Sequence, residues 1–189
     1  MDQSIKALSD EELVQSVMHG NDRAFEELYE RYSERIFKLL YSYVYNVDDA
    51  VDLMHDVFIR AYRHLNKFDV RRAFSAWLYT IAINCAKNYR CKVYKNDTMI
   101  EREEQRIMNT DAMKTPEDHV IENELLQEFS KAVDALNNKF REVFLLRYGQ
   151  QLQYSDIAHI LDISERTAKW RMERALAFIT DHLKKKGVI

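Results

Sequence analysis

A chain of 189 residues with 3 Gly and 1 Pro has few places for tight turns, and 47% apolar residues beside 31% charged ones exclude wholesale disorder. The length suits two small helical domains better than one. The formal net charge of −3 excludes a uniformly basic nucleic-acid binder, so any contact with a polyanion must come from local clusters. No stretch nears the roughly 18 apolar residues of a membrane span, and the acidic N-terminus MDQSIKALSDEEL lacks a basic-then-apolar leader. These features predict a cytoplasmic location.

The first helix is predicted to begin at Ser9, which forms a capping box with Glu12, and to close at Gly20. A second starts at Asn21 or Asp22. It carries Phe25, Leu28, Tyr29, Tyr32, Ile36, Phe37, Leu40, Tyr41 and Val44 at helical spacing, and Asn46 ends it. A third runs from about Asp48 to Leu65, with Val51, Met54, Phe58, Ala61 and Leu65 on one face. Residues 66–72 form a polar, basic loop, and a fourth helix spans about Ala73 to Tyr94. Residues 95–115 have weak periodicity and mixed charge, and are expected to be a flexible linker. Pro116, followed by Glu117 and Asp118, opens a helix carrying Val120, Ile121, Leu125, Phe129, Val133 and Leu136. Asn137 and Asn138 break it. A helix from Lys139 to Tyr148 stops at Gly149, and two more follow, about Tyr154–Leu161 and Ser164–Lys185. The fold class is therefore all-α: residues 1–94, a linker at 95–115, and residues 116–189.

Charge is unevenly spread. Ile59 to Lys95 holds nine basic residues against Asp69 alone, and Ser164 to Lys186 holds seven against three acidic. Asp97 to Glu128 between them is acidic. Two basic segments about an acidic one suit two separate contacts with a polyanion.

Two segments carry chemistry. YSDIAHILDISERTAKWRMERAL has the layout of a helix-turn-helix. Ala158 fits a close helix crossing. Asp162 holds the tight turn, where Asp tolerates the left-handed conformation better than most residues. Ser164 caps the second helix. Ala168, Met172, Ala175, Leu176 and Ile179 form its packed stripe. Arg166, Lys169, Trp170, Arg171 and Arg174 lie largely off that stripe. Arg171 and Arg174 are expected to read bases, and Lys169 to contact phosphate. In the other segment, FDVRRAFSAWLYTIAINCAKNYRCKVYK, aromatic residues are interleaved with cations. Rings can stack on unpaired bases while cations hold the backbone. Leu78, Ile81 and Ala82 read as core, and Trp77 fits core or base contact equally. Cys85 and Cys91 read as two half-buried thiols rather than metal ligands. The six His converge with no partner spacing except His55 beside Asp52 and Asp56, and no phosphate loop or nucleophile motif occurs. No catalytic residue, metal or cofactor is expected.

AFEELYERYSERIF, DDAVDLMHDVFIRAYRHLNKF, AFSAWLYTIAINCAKNYR and the helix-turn-helix, in this order and spacing, resemble the extracytoplasmic-function sigma factors of bacterial RNA polymerase. The likeness runs from about Leu13 to Leu183. It implies a region 2 in residues 1–94, which binds the clamp helices of the polymerase beta-prime subunit and captures the unwound minus-10 element. It implies a region 4 in residues 116–189, which binds the beta flap and reads the minus-35 element. Carried over by motif, Asp52, His55 and Asp56 face the clamp. Phe68 and Asn84 match positions that in relatives help pocket a flipped-out base, and the residues themselves lead us to expect Trp77 beside them and Arg71, Arg72, Lys87 and Arg90 near phosphates. Relatives usually have Gln and Glu where this chain has His55 and Asp56, Gly where Arg166 stands, and a small hydroxyl residue where Trp170 stands. The resemblance also implies an anti-sigma partner. A plain helix-turn-helix regulator that binds duplex DNA by itself is the competing reading. It would not need the aromatic-basic helix around Trp77.

Overall fold

The computed structural model describes residues 5–70, 72–96 and 122–189. These fall into two units, within Met1–Thr110 and within Asp111–Ile189. Among the described residues the regular elements are helical, with no strand. The linker, the helix start at Pro116, and the residues Val120 and Ile121 lie outside the described residues.

The first unit is built from α1 (Asp10–Met18), α2 (Asp22–Val44), α3 (Val47–His64) and α4 (Phe74–Asn96). The capping box forms: Ser9 Oγ accepts from the Glu12 backbone N–H, and Glu12 Oε2 accepts from the Ser9 N–H at 2.7 Å. Two orphan donors of the helix start are thereby satisfied. Gly20, at φ +90°, lets the chain reverse into α2. The α2–α3 corner differs from expectation. Tyr45, not Asn46, closes α2 in the left-handed conformation at φ 54°, and Asn46 caps α3 instead, accepting from the Asp49 N–H at 3.1 Å. A side-chain oxygen is worth more at an N-cap than at a C-cap, so Asn46 serves the helix that follows it.

The helices bury Leu13 and Val14 of α1 and Leu28, Ile36 and Leu40 of α2 against Val57 and Ala61 of α3 and Leu78, Ala82 and Ile83 of α4. Each large apolar side chain so enclosed contributes roughly 1.5–3 kcal/mol. Arg31 ties α1 to α2, donating to Asp10 at 2.9 Å, to Glu27 at 2.8 Å and to the Lys6 carbonyl at 2.9 Å, and Tyr32 donates to the same Asp10. After α3 a 3-10 turn, Leu65–Lys67, leads to Phe68 and the loop before α4.

The second unit holds α5 (Glu122–Asp134), α6 (Asn138–Phe144), α7 (Tyr154–Leu161) and α8 (Glu165–Lys185). A π-helical turn at Leu145–Gly149 finishes α6. Arg147 then donates to the Leu152 carbonyl at 2.7 Å, bracing the loop into α7. Arg141 is buried and donates to Asp134 at 3.0 Å, linking α5 to α6. Val133 and Leu136 are buried as expected, but Leu125 and Phe129 are exposed on α5.

Candidate nucleic-acid interface

In the second unit α7 and α8 meet through the turn expected of a helix-turn-helix. Asp162 sits at φ 53°, ψ 53°, the left-handed region. The Ile163 N–H bonds back to the Ala158 carbonyl at 2.9 Å, satisfying a carbonyl at the end of α7. Ser164 is extended, and its Oγ accepts from the Thr167 N–H at 3.1 Å, which starts α8 with one orphan donor filled. Ala168, Met172, Ala175, Ile179 and Leu183 face the core. Leu176, expected on that stripe, is 38% exposed. It falls at the stripe's edge, where the side chains of α8 turn away from α5 to α7.

Opposite the core, Arg166, Trp170 and Arg174 recur every four residues along α8 and are exposed. Arg171 is half-buried at the flank. Lys169, on the other flank, is exposed, pairs with Glu165 at 2.6 Å, and lies 5.8 Å from the centre of the Tyr154 ring. Trp170 is held on two sides. Phe140 packs against it in an edge-type contact, with centroids 5.9 Å apart and planes at 67°, and the Arg174 guanidinium lies 5.7 Å from its ring centre. Phe140 belongs to α6, outside the helix-turn-helix, and reading the sequence missed it.

In the first unit Phe68, Phe74 and Trp77 form one aromatic cluster. The centroid separations are 5.3 Å for Phe68–Trp77, 5.9 Å for Phe68–Phe74 and 5.9 Å for Phe74–Trp77. Phe68 is only 6% exposed, whereas Trp77 is half-buried. Trp77 and Asn84 stand two turns apart on α4, so they share a face. Asn84 and Lys87 are exposed and Arg90 is half-buried. Arg72 is exposed, with Asp69 at 4.0 Å. Arg71 lies outside the described residues.

The acidic face of α3 is a separate surface. Asp52 and His55 are exposed and Asp56 is half-buried. Asp56 is already engaged: it accepts from Arg60 at 2.9 Å and lies 3.8 Å from the Cys85 thiol. Burial pushes that thiol up to about 11. Cys85 is therefore a buried neutral thiol, and Cys91 is exposed, so the expected pair of half-buried thiols is one of each. His55 borders an apolar groove of about 340 Å³ between α2 and α3, lined also by Phe25, Tyr29, Phe58, Ile59, Tyr62 and Arg63. Tyr62 and Ile59, about half exposed, were not legible as surface residues, though both stand one position off the Phe58–Ala61 stripe. No group of His, Cys, Asp or Glu able to hold a metal occurs among the described residues, and no helix there is long and apolar enough to cross a membrane.

Residues 28–93 match the family model for Sigma-70 region 2, and residues 126–179 match that for Sigma-70, region 4. The chain is 32% identical to the ECF RNA polymerase sigma factor SigW of Bacillus subtilis, over 85% of this chain and 89% of that protein. It is likewise 32% identical to the ECF RNA polymerase sigma-E factor of Haemophilus influenzae, over 93% of this chain and 96% of the other. Among solved structures it is similar in fold to CnrH, solved with the cytosolic domain of CnrY, with a TM-score of 0.69 and 24% identity over 93% of this chain and 97% of that one.

Proposed function

The chain belongs to the extracytoplasmic-function sigma factors of bacterial RNA polymerase, and from that premise we propose that it joins the core enzyme and directs it to specific promoters. The observation that carries the reading is that both family regions are present in order, each with its own cationic and aromatic surface. A regulator that binds duplex DNA by itself needs only the second. The relatives extend over 85% and 93% of the chain, through both units, which favours the sigma reading over that alternative.

The division of labour follows from the surfaces. Asp52, His55 and Asp56 on α3 dock on the basic beta-prime clamp helices. Trp77 and Asn84, backed by Phe68, receive the opened minus-10 strand, with Arg71, Arg72, Lys87 and Arg90 contributing charge toward its phosphates. Stacking of this kind is worth roughly 1–3 kcal/mol per base. The helix-turn-helix binds the minus-35 duplex through Arg166, Lys169, Arg171 and Arg174, with Trp170 among them on the same face of α8, while its unit rests on the beta flap. Catalysis stays with the polymerase, in the cytoplasm. An anti-sigma protein is the partner expected to hold the chain away from the core enzyme.

The test is run-off transcription with purified core polymerase on genomic fragments, followed by mapping of start sites. Promoter-specific transcripts that depend on the chain are expected. Tight, sequence-selective duplex binding by the chain alone, with no transcript on adding core enzyme, would refute the proposal.

A further inference from the structure

The aromatic residue on the outward face of α8 does not stand alone. Trp170 is 49% exposed and projects away from the core stripe of Ala168, Met172 and Ala175. A bare indole so placed could turn about its side-chain torsions. Here Phe140, from α6, packs against it in an edge-type contact, with centroids 5.9 Å apart and planes at 67°, which restricts that turning. Arg174, one turn further along, lays its guanidinium 5.7 Å from the centre of that ring. Among the described residues Arg174 has no carboxylate within ion-pair distance. Its orientation is therefore set by the indole, in a chain of contacts Phe140–Trp170–Arg174 that crosses from α6 to the outer face of α8.

A long exposed arginine must lose rotamer freedom to make a two-pronged contact with a base edge. A ring that already confines the guanidinium removes part of that loss before DNA arrives. We propose that Trp170 and Phe140 are positioning residues that hold Arg174 for recognition of one base pair, so that the sequence preference of this helix depends on a residue outside the helix-turn-helix. The inference rests on the reading that α8 enters the major groove.

The experiment uses the full chain in complex with core polymerase, and measures its binding to a promoter panel changed one base pair at a time across the minus-35 element. Arg174→Ala should abolish discrimination at one base pair. Trp170→Ala should weaken discrimination at that same pair by about twofold to fivefold, the range of an exposed cation–π contact, and leave the other pairs unchanged. Phe140→Ala should give the same signature at a smaller factor. Trp170→Phe, which keeps a ring under the guanidinium, should restore most of it. Adding Trp170→Ala to Arg174→Ala should cost nothing more at that pair, because the ring then has no guanidinium to hold. A loss spread evenly over all base pairs for Trp170→Ala, or one that adds in full to that of Arg174→Ala, overturns the positioning role while the base contact stands. A flat profile for Arg174→Ala overturns the base contact and the positioning role together.

Discussion

Lys169 is a sharp place to test how α8 meets DNA, because the structure finds its charge already engaged. Its ammonium pairs with Glu165 at 2.6 Å, one turn back, and both side chains are about half exposed. An exposed pair of this spacing is worth about 0.3–0.5 kcal/mol, far less than a phosphate contact can offer, so DNA should draw Lys169 away from Glu165. Each phosphate neutralised steepens the logarithmic salt dependence by about 0.9. Between 50 and 200 mM salt, one contact therefore accounts for about a 3.5-fold loss of affinity. Lys169→Ala should remove that factor, shallowing the salt slope by about one ion and weakening every promoter variant alike. Glu165→Gln should act in the opposite direction. It frees the ammonium and removes a carboxylate facing the phosphates, and binding at 50 mM salt should tighten about twofold. The assay is fluorescence anisotropy of the polymerase-bound chain on labelled promoter duplex over that salt range. An unchanged slope for Lys169→Ala, or weaker binding by Glu165→Gln, would refute the phosphate assignment.

Reversing both Asp52 and Asp56 to Lys should cost about 2–5 kcal/mol of core-polymerase binding, as close charge reversal does at such interfaces. Co-purification with core enzyme checks this, with helix content by circular dichroism as the control, since Asp56 also pairs with Arg60. Alkylation of the native protein at pH 8 should modify exposed Cys91 and spare Cys85, whose thiol is buried and pushed up to about 11. Peptide mass analysis showing equal labelling of both would contradict that placement. Burial raises the Tyr79 phenol to about 12, so the folded state keeps its proton after the unfolded chain has lost it. That contribution to stability is complete below pH 10, the unfolded value, and is lost as pH rises towards 12. Stability of the wild type to urea should fall between pH 10 and 12, and Tyr79→Phe should make that fall shallower. An equal slope in the variant would assign the loss to other groups.

Features fixed by local chemistry were legible in the sequence. The Ser9–Glu12 box, the left-handed Asp162 and the Ser164 cap each depend on a few neighbouring residues, and each is found where the residue types required it. Periodicity located the helices for the same reason. What escaped was set by contacts distant in sequence. Leu125 and Phe129 share the helical face of the buried Val133 and Leu136, yet stay 43% and 38% exposed even with Phe129 packed on Phe144, because spacing says which residues share a face and not how far other helices cover it. Phe140 gave no sign that it would prop Trp170, thirty residues later. Asn46 was read as an ending when it is a beginning, since the same residue type serves both ends of a helix and only the backbone angles distinguish them.

The aromatic-basic segment shows why composition cannot separate core from site. Phe68 and Trp77 look alike in sequence, both aromatic and both near cations. Phe68 is enclosed by Phe74 and Trp77, whereas Trp77 keeps part of its surface open. Removing the ring of Phe68 would leave a cavity, and losses of about 3–5 kcal/mol are usual for that change, comparable with the whole stability of a small domain. A defect in strand opening after Phe68→Ala would therefore report unfolding as readily as lost stacking. The two roles are nonetheless linked. A base gains most from a ring that does not have to be ordered on binding, and the packing of Phe68 and Phe74 is what orders Trp77. On the proposed function the buried ring would act on DNA only through the exposed one, so Trp77 and Asn84 are the pair to substitute when strand capture is tested apart from the packing of Phe68.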